Sequence, residues 1–180
     1  MQAALRRFHL AAHMAARLYP YQREGVLWLW GLHCGRRGGI LADDMGLGKT
    51  LQVCAFLSGL LAGGAITRAL VVAPSSLLHA WRRELLACKL PSSRVLLYHG
   101  SSQAERATAL RCVAAKGGVL LTTYGMVSHN AGELGACTET WDWTVCDEGH
   151  KLKNSKMKLA RAFCAIVSAL AASPSLSPSR

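Results

Sequence analysis

The chain has 180 residues and is 51% hydrophobic, which suits one compact domain with a sizeable core. Its 21 lysines and arginines outnumber its 10 aspartates and glutamates, and the formal net charge of +11 favours a polyanionic partner, nucleic acid or an acidic membrane face, over a purely solubilising surface charge. No apolar stretch reaches the roughly 18 residues of a membrane span. The seven cysteines contain no close pair, which argues against a zinc site and against a disulfide framework. The protein is therefore expected in a reducing compartment.

The first segment, residues 1–17, carries arginines and no acidic residue, as transit peptides do. It lacks the serines that are typical of those peptides, and an ordinary amphipathic helix explains it better. We therefore expect an N-terminal amphipathic segment, with a transit peptide as the alternative.

Beyond residue 18, short apolar runs alternate with stretches of helical periodicity. Strands are predicted at 38–42, 69–74, 94–100, 117–124 and 141–148, and helices at 49–62, 76–88 and 102–116. Strands that form unbroken apolar runs between helices indicate an α/β fold whose parallel sheet has helices on both faces. The pattern decays after Arg161, and the last eight residues, SPSLSPSR, are Ser/Pro-rich and predicted to be disordered.

The segment LADDMGLGKTLQ, residues 41–52, nearly matches a phosphate-binding loop. Gly46 and Gly48 would let backbone N–H groups turn towards phosphate oxygens, Lys49 would reach the β- and γ-phosphates, and Thr50 would ligate Mg²⁺. The strict pattern requires a glycine five residues before Gly48, where this chain has Asp43. The loop still predicts a nucleotide site, provided that Asp43 takes an ordinary backbone conformation.

A pair of acidic residues ends the last predicted strand, in VCDEGH at 145–150. In an ATPase with a phosphate-binding loop, Asp147 would serve as a ligand for Mg²⁺, and Glu148 would orient and deprotonate the attacking water. Alone, such a pair is often a surface turn. Together with the loop, it indicates ATP hydrolysis.

At this point the motifs become recognisable. ADDMGLGKT and DEGHKLKN resemble motifs I and II of the Swi/Snf-type ATPases, a branch of the superfamily-two helicases, in which an aspartate at the place of Asp43 is usual. LYPYQREGVLWL resembles the Q-type motif of that family, LVVAPSSLLHAWRRE resembles motif Ia, and VLLTTYGM resembles the segment that contacts the DNA backbone. The resemblance runs over residues 18–161, which we expect to form the ATP-binding, RecA-like first lobe, followed by an atypical tail at 162–180.

The resemblance also implies the site and the cofactors, ATP and Mg²⁺. The residues implied to bind the nucleotide are Gln22 (at the adenine), Asp44, Met45, Gly46, Leu47, Gly48, Lys49 and Thr50. The metal would be held by Thr50 and Asp147, and catalysis would fall to Glu148, Asp147 and Lys49.

Within the family, the motifs look most like the excision-repair-cross-complementing-six-like (PICH-type) group. That group is implied to translocate on double-stranded DNA in the nucleus, at centromeres or kinetochores and with mitotic or chromatin proteins as partners; no membrane partner is implied. The family also needs a motif III and a second RecA-like lobe with an arginine finger. Neither follows here, so we expect a truncated product, a splice form or a fragment that lacks turnover by itself.

Several residues are implied to couple the ATP site to DNA. They are His150, Thr122, Thr123, Tyr124, Lys151 and Lys153, the lysines being part of a basic run that continues through Lys156, Lys158 and Arg161. Each has a plainer explanation: the basic run would be a solvated helix face, and the two threonines and the tyrosine would be the packed end of a strand. Trp28, Trp30 and Trp81 are expected to pack in the core or against another lobe rather than to stack on bases.

Two other functions stay open. The chain could be a binding module that holds nucleotide or DNA without turnover. It could also be an RNA-directed DExH helicase, although DEGHKLKN and Asp43 resemble the branch that moves on DNA.

Overall fold

The computed structural model describes residues 8–136, 141–152, 159, 161–163 and 166. The chain divides into two compact units. The first, residues 1–67 and 79–95, is called the helical unit below. The second, residues 68–78 and 96–180, is called the sheet unit.

The helical unit is built on helices α1 (Ala12–Arg17), α2 (Pro20–Cys34) and α3 (Lys49–Ala62), together with most of α4 (Leu78–Ala87). Helix α2 begins with Pro20 at a position where the missing N–H is not needed. Helix α3 is the most buried helix of this unit, with an unbroken run of buried residues from Cys54 to Leu61. This run explains its strongly apolar sequence, because a helix that is apolar on all sides is stable only in an interior.

The N-terminal segment packs onto the rest of the helical unit. The ring of Phe8 stacks on Trp30 at 5.1 Å between centroids, and the His9 N–H donates to the Gly59 carbonyl at 3.1 Å. Arg17 at the end of α1 lies 3.8 Å from Glu84 of α4. A helix does form within the predicted amphipathic segment, at Ala12–Arg17, while residues 1–7 lie outside the described part of the chain.

The sheet unit contains strands β1 (Arg68–Val72), β2 (Val95–Tyr98), β3 (Gly118–Thr122) and β4 (Trp143–Cys146) in the order β2-β3-β1-β4. Strand β1 pairs in parallel with β3, from Arg68 opposite Gly118, and with β4, from Ala69 opposite Trp143. All of β3 and four of the five residues of β1 are buried. Since successive side chains point to opposite faces of a sheet, both faces are covered, as the apolar runs predict.

The core of the sheet unit lies between the strands and helices α5 (Gln103–Lys116) and α6 (Tyr124–Ala136). It includes Leu70 and Leu120 from the strands, Val113 from α5, and Val127 and Leu134 from α6. Phe163 and Ile166, which lie beyond the predicted boundary at residue 161, are also buried in this cluster.

Most predicted elements are confirmed with shifted ends. Helix 49–62 is observed with the same bounds, and helix 76–88 is observed as Leu78–Ala87 after a 3₁₀ turn. Helix 102–116 begins one residue later than predicted, because Ser102 is its N-cap and its hydroxyl accepts from the Glu105 N–H at 3.3 Å. The four strands of the sheet are shorter than predicted. Within the described residues, no helix is long and apolar enough to cross a bilayer.

The strand predicted at 38–42 is wrong. These residues have no strand structure, and the Ile40 side chain is 86% exposed. Gly38 and Gly39 weaken a strand because they contribute no side chain to pack. The phosphate-binding loop therefore follows an irregular segment, and only its helical side is as predicted.

Candidate nucleotide site

The loop before α3 has the backbone that an anion-binding loop needs. Gly46 and Gly48 have φ angles of 88° and 75°, in the left-handed region that favours glycine. Gly48 is the N-cap of α3, whose first N–H groups have no carbonyl partner inside the helix and carry its positive dipole end. Met45 at the tip is 93% exposed, so the loop is open to solvent.

Lys49 is the first residue of α3, and its side chain turns back over the loop. Its Nζ donates to the backbone carbonyls of Asp43 at 2.5 Å and Asp44 at 2.9 Å. The ammonium group therefore holds the start of the loop against its end. Thr50, the next residue, is half-buried in the first turn of the same helix.

Asp43, which stands where the strict pattern has glycine, is held by Gln52, a residue outside the predicted site. Nε2 of Gln52, one turn into α3, donates to the Asp43 Oδ2 at 3.0 Å. Asp43 thus takes part in the loop through both its carboxylate and its carbonyl. Local sequence could have suggested Gln52, since it is a polar residue in the otherwise apolar run LQVCAFL.

Gln22 also contacts the loop. Its Nε2 donates to the Leu47 carbonyl at 3.1 Å, and its Oε1 accepts from the Tyr19 N–H at 3.0 Å, at the start of α2. The side chain is only 4% exposed. The predicted adenine contact of Gln22 stays a prediction, and the observed contacts place its amide beside the loop.

In the sheet unit, the acidic pair follows β4 in a tight turn, residues 147–151, called the acid turn below. The Asp147 N–H donates to the Val72 carbonyl at 2.9 Å, which extends the pairing with β1. Glu148 has a φ of 57°, an uncommon angle for a residue with a side chain and one that is frequent at functional sites. Its Oε2 lies 3.2 Å from His150 Nδ1, and these side chains are 48% and 59% exposed.

Tyr124 supports the acid turn from below. Its hydroxyl donates a short hydrogen bond to the Asp147 carbonyl, and its ring lies 5.4 Å from Lys151 Nζ and 6.2 Å from the ring of Phe163. Burial, followed by the nearby Cys146, Asp147 and Glu148, raises the pKa of Tyr124 well above its ordinary value, so the hydroxyl remains a donor.

The neighbouring threonines have internal partners as well. The Thr122 hydroxyl is fully buried and donates to the Tyr98 carbonyl at 2.8 Å, and the Thr123 Oγ1 accepts from the Met126 N–H at 3.3 Å. For Thr122, Thr123 and Tyr124 the geometry favours the packed strand end over contacts with DNA phosphates. Lys151 is exposed in a 3₁₀ turn, Arg161 is exposed in a helical segment, and Lys153, Lys156 and Lys158 lie outside the described residues.

The three tryptophans differ. Trp81 is 3% exposed, as core packing predicts. Trp30 is half-buried and stacks on His33 at 5.3 Å as well as on Phe8. Trp28, at 42% exposed, is not a core residue.

A model of the SNF2-related domain family matches residues 21–170. The chain belongs to this family. It is 46% identical over 154 residues to the DNA excision repair protein ERCC-6-like of Danio rerio, a match covering 83% of this chain and 10% of that protein. It is 42% identical over 171 residues to Protein CHROMATIN REMODELING 24 of Arabidopsis thaliana, covering 89% of this chain and 16% of that protein.

Solved structures agree with this assignment. The Sulfolobus solfataricus SWI2/SNF2 ATPase core in complex with dsDNA matches with a TM-score of 0.69 at 30% identity, over 83% of this SNF2-related chain and 30% of that one. The α/β fold and the Swi/Snf-type resemblance predicted from sequence are confirmed. The chain spans about a sixth or less of these two curated relatives and under a third of the solved core.

Proposed function

We propose that this SNF2-related chain is a Mg·ATP-binding lobe of a DNA-dependent ATPase that translocates on double-stranded DNA. The loop from Asp44 to Thr50 would hold the phosphates, and Gln22 would face the adenine. Thr50 and Asp147 would hold Mg²⁺, and Glu148 would orient the attacking water. Bound Mg·ATP would supply the phosphoryl group and the metal that neutralises its charge.

The loop geometry is the observation that carries this proposal. Gly46 and Gly48 already have the left-handed conformation, and α3 begins at Lys49, so a phosphate at the loop would meet free N–H groups and the helix dipole. The Lys49 ammonium donates to two neutral carbonyls. Phosphate oxygens are stronger, charged acceptors, so an anion can replace those carbonyls at the same ammonium.

The DNA-dependent part of the proposal is supported by the family and by charge. One structural neighbour is named as an ATPase core in complex with dsDNA, and the curated relatives are named for DNA excision repair and chromatin remodelling. The net charge of +11 suits contacts with the phosphate backbone, which are independent of sequence. Such a protein would work in the nucleus, on chromosomes and on centromeric or kinetochore DNA, with chromatin or mitotic proteins as partners. It would not separate the DNA strands as a helicase does.

A second candidate is a nucleotide- and DNA-binding module without turnover. The 180 residues match 30% of the solved ATPase core, so binding by these residues can be measured separately from hydrolysis by a longer protein. Both candidates require ATP binding at the loop, and they differ in hydrolysis.

Substitution of the loop lysine tests the shared requirement. Lys49→Ala removes the cation that the loop offers to the β- and γ-phosphates, so the affinity for Mg·ATP should fall by about 2–3 kcal/mol, roughly 30- to 150-fold. Isothermal calorimetry on the 180-residue chain measures this, with Lys116→Ala, an exposed lysine at the end of α5, as the matched control. Equal affinity of Lys49→Ala and the parent would contradict the nucleotide function.

A further inference from the structure

We infer that Asp43 and Gln52 form a positioning pair that holds the loop ready for nucleotide, in place of the glycine that the strict loop pattern has at position 43. Neither side chain would touch the nucleotide; the pair would act through the loop backbone. The inference rests on the proposed nucleotide function and assigns a role to a residue, Gln52, outside the predicted site.

Gln52 contacts both Asp43 and the backbone of the loop. Gln52 is fully buried, and its Nε2 donates to the Asp43 Oδ2 at 3.0 Å and approaches the Leu47 carbonyl at 3.5 Å. The Leu47 carbonyl also accepts from Gln22 Nε2 at 3.1 Å. Two buried amides therefore converge on a carbonyl between Gly46 and Gly48, the two residues whose conformation gives the loop its shape.

The oxygen of the Gln52 amide has a different environment from its nitrogen. Its Oε1 is buried without a hydrogen-bond partner among the described residues. The opposite orientation of the amide would place this oxygen against the Asp43 carboxylate, where the two would repel. The contact with Asp43 therefore sets the orientation, even though it leaves a buried acceptor unsatisfied, which is unfavourable for folding.

The Gln52 amide fits in its place because residue 25 of α2 is a glycine. A Cβ atom at Gly25 of α2 would lie 1.9 Å from Gln52 Oε1, so only glycine at this position leaves room for the side chain. A methionine at position 52 would fill similar volume without burying an unsatisfied oxygen. Fold stability alone thus gives no reason for glutamine, whereas the contacts with the loop do.

An aspartate can occupy the glycine position because both its backbone and its side chain are held. The Asp43 carbonyl accepts from Lys49 Nζ at 2.5 Å, and its carboxylate accepts from Gln52, so the residue is held at both ends. Without Gln52, the carboxylate would be unanchored on a loop that must receive an anion, and like charges repel. The pair keeps the loop in shape and keeps this negative charge engaged.

The experiment combines removal and exchange of the two side chains in the 180-residue chain, with Mg·ATP affinity measured by calorimetry and folding by thermal melting. Gln52→Met should weaken binding about tenfold, the effect of losing a hydrogen bond to a charged group, with an unchanged or higher melting temperature. Gln52→Glu should weaken binding further, because two carboxylates would then face each other. The exchange Asp43→Asn with Gln52→Glu restores a donor opposite a carboxylate with one negative charge, and should recover most of the affinity.

Ser58→Ala is the matched control, since Ser58 is another buried polar residue of α3, and it should retain the parent affinity. Parent affinity in Gln52→Met, or an exchange variant no better than Gln52→Glu, would overturn the positioning role. So would a Gln52→Met protein that melts earlier, because the effect would then be structural. If Lys49→Ala binds as tightly as the parent, the proposed function itself fails, which is a separate result.

Discussion

Two buried tyrosines of the sheet unit, Tyr124 and Tyr98, each donate one hydroxyl hydrogen bond, and only the bond from Tyr124 reaches the acid turn. The Tyr124 hydroxyl donates to the Asp147 carbonyl, whereas the Tyr98 hydroxyl donates to Glu133 Oε2 at 2.8 Å, at another place in the same unit. Replacing either by phenylalanine removes one hydroxyl and keeps the ring. Comparing the two tyrosine variants therefore separates the effect of losing an internal hydrogen bond from an effect that is specific to the acid turn.

Tyr124→Phe should lower the free energy of unfolding by about 1 kcal/mol, because the Asp147 carbonyl loses a donor. The affinity for duplex DNA should stay at the parent value, since this hydroxyl is used inside the protein. Urea unfolding and a fluorescence titration with a labelled duplex measure the two quantities, and Tyr98→Phe should behave alike in both. Weaker DNA binding by Tyr124→Phe alone, with unchanged stability, would instead support a direct phosphate contact.

At the scale of elements, three thiols lie on different parts of the fold: the buried Cys54 in α3, the buried Cys88 just after α4, and the half-buried Cys146 in β4. Burial raises the pKa of Cys88 and of Cys146 from the ordinary 9.0 to about 11, and raises the pKa of Cys54 well above that ordinary value. Between pH 9 and about pH 11, the thiol is ionised in the unfolded state and keeps its proton in the folded state. The unfolded state then binds fewer protons, so stability falls as the pH rises above about 9.

Cys146 gives the clearest test of this pH dependence. Cys146→Ala should flatten the decline in unfolding free energy between pH 9 and 11, by at most about 1.4 kcal/mol per pH unit. Cys34→Ala, at an exposed cysteine, should leave the slope unchanged. Urea unfolding at a series of pH values measures both. Identical slopes for the two variants would mean that Cys146 ionises as readily in the folded chain as in the unfolded one.

The elements also show what local sequence can predict. Helix 49–62 is found with its predicted bounds because a glycine precedes it, another follows it, and an apolar stretch of this length favours a helix over a strand. The strand at 38–42 fails because pairing with a sheet is not a local property: an apolar trio next to two glycines finds no partner strand, and Ile40 stays exposed. Helix α6 was not predicted, since its three glycines give a sequence pattern typical of a loop; the helix is kinked at Asn130.

The residues of the candidate site also differ in whether local sequence predicts them. The loop glycines, Lys49 and the acidic pair could be found from sequence because their chemistry depends on neighbours along the chain. Gln52 is marked in the sequence only as a polar residue in an apolar run, and its role could not be read there, because it depends on the place where α3 approaches α2 at Gly25. The burial of Thr122 likewise follows from the sheet, where all of β3 is covered, and not from its own sequence context.

At the scale of the whole molecule, the central quantity is how much of an ATPase core the chain supplies. It matches 30% of the solved SWI2/SNF2 core, and its described residues contain the loop and the acid turn. In the family it resembles, an arginine from the second lobe stabilises the transferring phosphoryl group. Such an arginine finger is worth about 10³–10⁵ in rate.

The 180-residue chain should therefore bind Mg·ATP and hydrolyse it barely above background, with or without DNA. Joined to the second lobe of the core, it should show turnover stimulated by duplex DNA and not by RNA, because the proposed function is translocation on duplex DNA. Glu148→Gln in the joined protein should abolish turnover and leave ATP binding intact, since the amide cannot take a proton from water. A steady-state phosphate-release assay measures all of these rates. Duplex-stimulated turnover on the order of one per second by the 180-residue chain alone would mean that it completes the site itself, and stimulation by RNA in the joined protein would assign it to the RNA-directed helicases.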